Sequence, residues 1–247
     1  MSEIDPREEP VLIRPGAFNR KLDVREKVLL AILPPYVTLA RTMARASWRK
    51  RRLDWGGLWN VPDRRGGFNV AGPAIGAPNS VTMLETLTSN GAKTIIVAGC
   101  CGSISEKVGV GDIIVPTDAL SEEGVSAHYS PDMFPPKADG ELVEKIKSVA
   151  DLKKRSYHTG TVWTTDAPYR ETCAKVKSYG EKGILGVEME LSALFTVARF
   201  RGVKIAAVLA VSDELASLKW KPGFLKPAFL SATGKVIGTA IDAIKQL

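Results

Sequence analysis

Apolar residues along this chain fall into two patterns. One is the strand-length run, mostly apolar and rich in β-branched residues: "VLLAIL" (Val28–Leu33), "FNVAG" (Phe68–Gly72), "KTIIVAG" (Lys93–Gly99), "DIIVP" (Asp112–Pro116), "HTGTVWTT" (His158–Thr165) and "KIAAVLAVSD" (Lys204–Asp213). These predict strands. The other is the longer stretch with apolar positions three or four apart, which predicts a helix. "LARTMARAS", "SVTMLETLTSNG", "MELSALFTVARFRG" and the last stretch, Pro227–Leu247, read this way, as does "ADGELVEKIKSVAD" with Leu142, Val143, Ile146 and Val149 on one face. Several strands are apolar throughout, so both sheet faces should be covered. The alternation of strands and helices predicts an α/β fold with a mainly parallel or mixed sheet. Residues 1–25 are polar and read as an N-terminal extension, and 26–247 as one domain without linker or repeat.

Composition narrows the function classes. At 45% hydrophobic and 25% charged, the chain is ordinary globular material. It has no apolar run of the roughly 18 residues that a membrane span needs. The start, "MSEIDPREEP", lacks the basic-then-apolar order of a secretion signal, so a cytoplasmic protein is expected. Three cysteines with no CxxC pair, and two histidines, argue against a disulfide framework and a metal site. The net charge of +7 is partly concentrated in "RASWRKRRLDW" (Arg45–Trp55). Basic residues interleaved with aromatics can touch nucleic acid; the plainer reading is a solvated face that draws anionic small molecules. Nothing else resembles a nucleic-acid module, so no nucleic-acid partner is expected.

In open α/β sheets, ligands gather beyond the carboxyl ends of strands. Three such ends carry unusual residues. In "IIVAGCCGS", Gly99 and Gly102 allow close backbone approach around Cys100, and free N–H groups in such a turn can hold an anion or hydroxyl; a tight turn between core elements would look the same. In "GVEMELSAL", Glu188 and Glu190 flank Met189. They are either acids at a helix start or a hook for two sugar hydroxyls with Met189 against the sugar face. In "AVLAVSDEL", Ser212–Asp213 ends a long apolar strand. Asp213 is either a helix N-cap or a partly desolvated acid placed to protonate a leaving base.

Together these segments, with "AGPAIGAPNSVTMLETL", "EEGVSAHYSPDMFPPKAD" and "TGTVWTTDAPYRE", resemble the nucleoside phosphorylase and nucleosidase superfamily from about Phe68 onward. The nearest branch is that of uridine phosphorylases and hexameric purine nucleoside phosphorylases. The resemblance implies a three-layer α/β/α sandwich around a mixed, partly barrel-like sheet. It also implies cleavage of a nucleoside N-glycosidic bond through a cationic ribosyl transition state. Glu190 matches the family glutamate on the ribose 2′ and 3′ hydroxyls, and Met189 the methionine against the sugar. Glu188 is assigned only a supporting role. Tyr169 and Arg170 fall at the loop over the base, and Asp213 matches the acid that protonates purine N7. Uridine phosphorylases usually lack that aspartate, so base identity stays open between purine and uridine.

The phosphate site departs from the family. Relatives that use phosphate follow their first strand with a glycine-aspartate-proline turn and an arginine. Here Pro35, Tyr36 and Leu39 are read at the glycine, aspartate and arginine positions. Val97 replaces a second arginine, and Cys100 replaces a serine or threonine. Valine and leucine offer no donor to phosphate. Arg49, Arg51 and Arg52 are the substitutes considered, since relatives supply an arginine from a comparable region of a neighbouring subunit; Arg170 is another. Phosphorolysis to free base and ribose 1-phosphate is therefore the nominal expectation, with inorganic phosphate as co-substrate and no other cofactor. Hydrolysis by water and nucleoside binding without catalysis are the alternatives. The resemblance implies a homo-oligomer built from dimers, as in the hexameric members.

Overall fold

A computed structural model describes residues 10–15, 22–47, 49–53, 56–64, 66–130 and 136–247. Most of the expected N-terminal extension (1–25), part of the basic stretch and part of "SPDMFPPKAD" lie outside the described residues. The elements are β1 (Lys27–Ala31), α1 (Pro34–Ala44), β2 (Arg51–Leu53), β3 (Gly56–Val61), β4 (Phe68–Gly72), α2 (Ala77–Ser89), β5 (Thr94–Ser103) and β6 (Ile113–Glu122). They continue with α3 (Ser126–Tyr129), α4 (Gly140–Leu152), β7 (His158–Thr165), α5 (Cys173–Glu181), β8 (Gly186–Glu188), α6 (Leu191–Arg201), β9 (Lys204–Glu214), β10 (Lys221–Pro222) and α7 (Pro227–Lys245).

The all-apolar strands have the two covered faces that their pattern requires. Side chains alternate across a strand. In β1, Val28 and Leu30 enter one core while Leu29 and Ala31 enter the other. In β5, Ile95 and Val97 oppose Ile96 and Ala98; in β9, Ile205, Ala207 and Leu209 oppose Ala206, Val208 and Ala210. Helices α2 and α6 cover the first face, and α1, α4 and α7 the second. Each fully buried Leu, Ile or Val contributes about 1.5–3 kcal/mol, so the cores set the fold before any polar contact acts.

The ten strands form one mixed sheet in the order β10-β9-β6-β7-β8-β5-β1-β4-β3-β2, with a further pairing between β9 and β5. That extra pairing joins β5, β9, β6, β7 and β8 into a ring, so one part of the sheet closes as a barrel while β1, β4, β3 and β2 continue as an open wing. The mixed, partly barrel-like sheet between helical layers is the architecture expected from the sequence. Among the described residues, no helix is long and apolar enough to cross a membrane.

Three local expectations change. "GCCGS" is not a turn: β5 runs through Gly99 to Ser103 and pairs with β9 along that length and with β8 at its end. Along Gly99–Cys101 the pairing given is with β9 alone, since the β1 ladder ends at Ala98 and the β8 ladder begins at Gly102. "PPYVT" belongs inside α1, with proline in its first turn, where the missing N–H costs nothing. The basic stretch forms β2, the outer edge strand, paired antiparallel with β3.

Candidate active site

The site grows from the junction of β8 and α6. A helix start leaves its first N–H groups without partners. Glu188, at the end of β8, supplies them: its Oε2 accepts from the N–H groups of Glu190 at 2.6 Å and Leu191 at 2.7 Å. The Thr164 hydroxyl donates to Oε1 of Glu188 and itself accepts from Ser192 N–H at 2.9 Å. Glu188 is thus an acid at a positive helix end, with one oxygen taken by two backbone N–H groups and the other by the Thr164 hydroxyl.

Glu190 differs. It starts the same helix, yet its side chain makes no capping bond. The carboxylate reaches instead across to the β4–α2 loop, accepting from Gly76 N–H at 2.7 Å and from Met189 N–H at 3.3 Å. Two bonds leave about half of a carboxylate's acceptor sites open. Both acids are buried, and burial pushes both carboxyls up from the usual range. The charge of Glu190 raises Glu188 further, and the Gly76 and Met189 N–H groups pull Glu190 partly back. Met189 is half-buried between them.

Asp213 is placed by a bulge. The β5–β9 register pairs Cys101 with Val211 and then Gly102 with Asp213, so Ser212 is the extra residue. A bulge of this kind re-aims the side chains around it. Asp213 accepts from Ser212 Oγ at 2.6 Å and from Trp220 Nε1 at 2.9 Å. β9 continues to Glu214 and no helix follows at once, which removes the N-cap reading of this aspartate. Gly102 lies opposite Asp213 on one side and Val187 of β8 on the other. A Cβ at Gly102 would stand 3.0 Å from Asp213 Oδ2 and 2.8 Å from Leu215 Cδ1, so any larger residue here would displace those two side chains. Two inter-strand steps, about 10 Å, separate the β8 and β9 backbones flanking Gly102.

Gly102 of β5 pairs with Val187 of β8 and with Asp213 of β9, which brings the ends of the three strands to one site. Gly99 pairs with Leu209 on its floor. Cys100 lies two residues before Gly102 on β5. Its thiol is pushed up to about 12, by burial first and then by the negative charge of Glu190, with Asp213 adding to the rise. The thiol also lies beside the hydroxyls of Ser212 and Tyr36. Tyr36 is buried at the start of α1 and accepts from Thr233 Oγ1 at 3.4 Å. Burial drives its phenol upward, and the neighbouring Cys100 adds to the shift.

Before α1 the backbone takes a positive φ at Leu33, φ 70, and Pro34 and Pro35 open the helix. Leu39 is half-buried. Val37 is buried and Val97 fully so. Around Cys100 lie the carboxyl groups of Glu190 and Asp213, the hydroxyls of Ser212 and Tyr36, and aliphatic side chains.

Other anticipated residues lie elsewhere. Arg49, Arg51 and Arg52 are exposed at or beside β2, with β3, β4 and β1 between that strand and β5. Arg51 faces Asp23 at 3.7 Å. Within one chain these arginines do not approach Cys100. Tyr169 is 99% exposed and Arg170 exposed, on a short helical turn before α5. That turn borders the site through Glu171, whose carboxyl is raised to about 7 by burial and by the charge of Asp213. Gly76, Trp220 and Glu171 are the site neighbours that sequence reading does not single out, and Tyr36 was read only as a departure from the family turn. A backbone donor such as Gly76 N–H has no sequence signature. Trp220 had one: an aromatic in "KWKPG", where a turn back onto β9 is signalled. Among the described residues, no cluster of His, Cys, Asp or Glu is arranged to hold a metal.

Comparison with known proteins adds the following. Residues 65–240 match the phosphorylase superfamily. Over 149 residues the chain is 36% identical to DeoD-type purine nucleoside phosphorylases of Bacillus cytotoxicus and Bacillus thuringiensis, covering 60% of this chain and 63% of each relative. The match thus spans less than two thirds of those relatives' length. Among solved structures, a purine nucleoside phosphorylase from Toxoplasma gondii, crystallised with immucillin-H, superposes with a TM-score of 0.82 at 22% identity, covering 96% of this chain and 97% of that one. A uridine phosphorylase from Vibrio fischeri superposes with a TM-score of 0.80 at 25% identity, covering 91% and 94%.

Proposed function

The chain belongs to the phosphorylase superfamily, and on that premise we propose that it cleaves the N-glycosidic bond of a purine nucleoside. The observation that carries this reading is the pairing of Gly102 with Val187 of β8 on one side and Asp213 of β9 on the other, which sets the strand ends that carry Glu190 and Asp213 beside each other. Glu190, with acceptor sites left over, takes the ribose 2′ and 3′ hydroxyls, and its charge stabilises the oxocarbenium ion that forms as the bond breaks. Met189 packs on the sugar. Glu188 holds the helix start that aims Glu190. Gly99 and Gly102 keep the floor low enough for the ring to descend. As the C1′–N9 bond breaks, its electron pair goes to the base, which takes a proton at N7 from Asp213. An oxygen nucleophile bonds to C1′.

This chain's own residues favour water as that nucleophile. A phosphate dianion beside Cys100 would face two carboxylates and, from the residues described around it, no cation; such burial costs several kcal/mol or more. With water, the proton released on attack restores the acid form of Asp213. Phosphorolysis is the second reading, favoured by the names of the matched relatives. It requires a cation from outside the chain, for which the exposed Arg49, Arg51 and Arg52 of a second copy are the candidates.

The test is release of base from inosine, adenosine and uridine, each with and without inorganic phosphate. Base and free ribose without phosphate support the hydrolytic reading. Strict phosphate dependence with ribose 1-phosphate as product supports the second and removes the first. Nucleoside binding without any release would leave a binding protein only.

A further inference from the structure

The segment after β9 doubles back on the strand. Leu215 N–H donates to Ser103 O at 2.8 Å, Leu218 N–H donates to Leu215 O at 2.8 Å, and Lys221 and Pro222 of β10 pair with Glu214 and Asp213. Leu218 holds φ 57, a left-handed backbone uncommon for leucine. The turn is therefore kept by its tethers rather than by local preference, and such conformations concentrate at working sites. Its result is Trp220 beside Asp213. The indole Nε1–H donates to Oδ2 at 2.9 Å, while the ring stays 65% exposed.

The two partners of Asp213 differ in chemistry. The Ser212 hydroxyl lies 2.6 Å from Oδ1 and 3.0 Å from Cys101 O. It can donate to an ionised Asp213. Turned toward Cys101 O, it can accept from a protonated one. An indole N–H only donates, so Oδ2 is fixed as an acceptor and a proton carried by Asp213 resides on Oδ1.

We infer that Trp220 is a positioning residue for Asp213, fixing the carboxyl plane through Oδ2 and leaving Oδ1 as the oxygen that delivers the proton. The inference rests on the proposed role of Asp213 as the acid for the departing base. In the step, Oδ1–H breaks, the proton joins N7, and Asp213 is left as an anion held by Trp220 and Ser212. The other titratable or charged groups around it are Cys100 and Cys101 of β5, Glu171 before α5, Glu214 beside it in β9, and Lys221 of β10.

The experiment compares wild type, Trp220→Phe (ring without donor) and Trp220→Gln (donor without ring). kcat and KM for a purine nucleoside are followed from about pH 5 to about pH 9. A donor to a carboxylate favours its charged form. Trp220→Phe is expected to move the alkaline limb of kcat up by about one pH unit and to lower the plateau about tenfold, with KM within about threefold. Trp220→Gln is expected to keep the limb within a few tenths of a unit. A limb unmoved in Trp220→Phe, or moved equally in both variants, overturns the inference while the proposed function stands. A readout without turnover separates the two further. The indole N–H proton resonance lost in Trp220→Phe should move upfield in Asp213→Asn, as a charge-assisted bond becomes a neutral one. An unmoved resonance overturns the positioning role even if no nucleoside is cleaved.

Discussion

Replacing Glu190 by glutamine isolates the charge of the proposed sugar hook. Glutamine keeps a carbonyl oxygen able to accept from Gly76 N–H, now 2.7 Å away, so the β4–α2 loop keeps its tether. It removes a buried carboxyl whose ionisation burial opposes, so folding stability should not fall. What disappears is a charged acceptor for two hydroxyls. Hydrogen bonds to a charged group are worth about 1.5–3 kcal/mol each. Losing about 1.5 kcal/mol from each of two is about 3 kcal/mol, or roughly 150-fold in kcat/KM. The assay compares base release from a purine nucleoside and from its 2′,3′-dideoxy analogue, in both proteins. The ratio of ribo to dideoxy rates should fall by about 100-fold in Glu190→Gln, with an unchanged melting temperature. An equal ratio in the two proteins would refute the assignment, because the analogue lacks the hydroxyls that Glu190 is proposed to hold.

Asp213→Asn should lower purine turnover by about 10²–10⁴-fold and pyrimidine turnover by less than about tenfold, measured side by side; equal losses would make Asp213 structural. Cys100, raised to about 12, should stay unalkylated by iodoacetamide at about pH 8 while the exposed Cys173 is the first to be modified; peptide mass mapping that finds Cys100 labelled first would contradict its half-buried, anion-flanked setting. Glu171 has a folded value of about 7, above its unfolded value of about 4.3. The folded state therefore binds the extra proton between those values, and stability falls as pH rises through that window. The melting temperature should drop between about pH 5 and about pH 8, less in Glu171→Gln than in wild type; an equal drop in both would show that Glu171 is not the group responsible.

The parts of the fold legible in the sequence were those in which side chains act in bulk. β1 and β9 announce themselves because they carry unbroken apolar runs, Val28–Ala31 and Ile205–Val211, as a strand with two covered faces needs. Glu190 and Asp213 stand out as acids against apolar runs. The failures have a common cause: partners distant in sequence. Gly99 to Gly102 look like a turn when read locally, yet β9 holds all of them in strand pairing and β8 joins from the other side at Gly102. β2 was hidden because an edge strand need not alternate, and β3 because its apolar residues are interrupted by glycine and asparagine, with Trp59 packed into the core and the cations of Arg41 and Lys50 over its ring. The bulge at Ser212 is a property of two strands in register, so one strand's residues cannot display it. Gly76 completes Glu190 from 114 residues away, through a backbone donor that any residue but proline would supply.

The central claim is that the ends of β5, β8 and β9 form a single nucleoside site with the sugar at Glu190 and the base at Asp213. A crystal structure with a purine C-nucleoside, whose glycosidic bond cannot be cleaved, tests it directly. The account predicts the 2′ and 3′ hydroxyls within hydrogen-bond distance of Glu190 and N7 facing Asp213 Oδ1. A nucleoside bound elsewhere, or bound with its base toward Glu190 and its sugar toward Asp213, would contradict it.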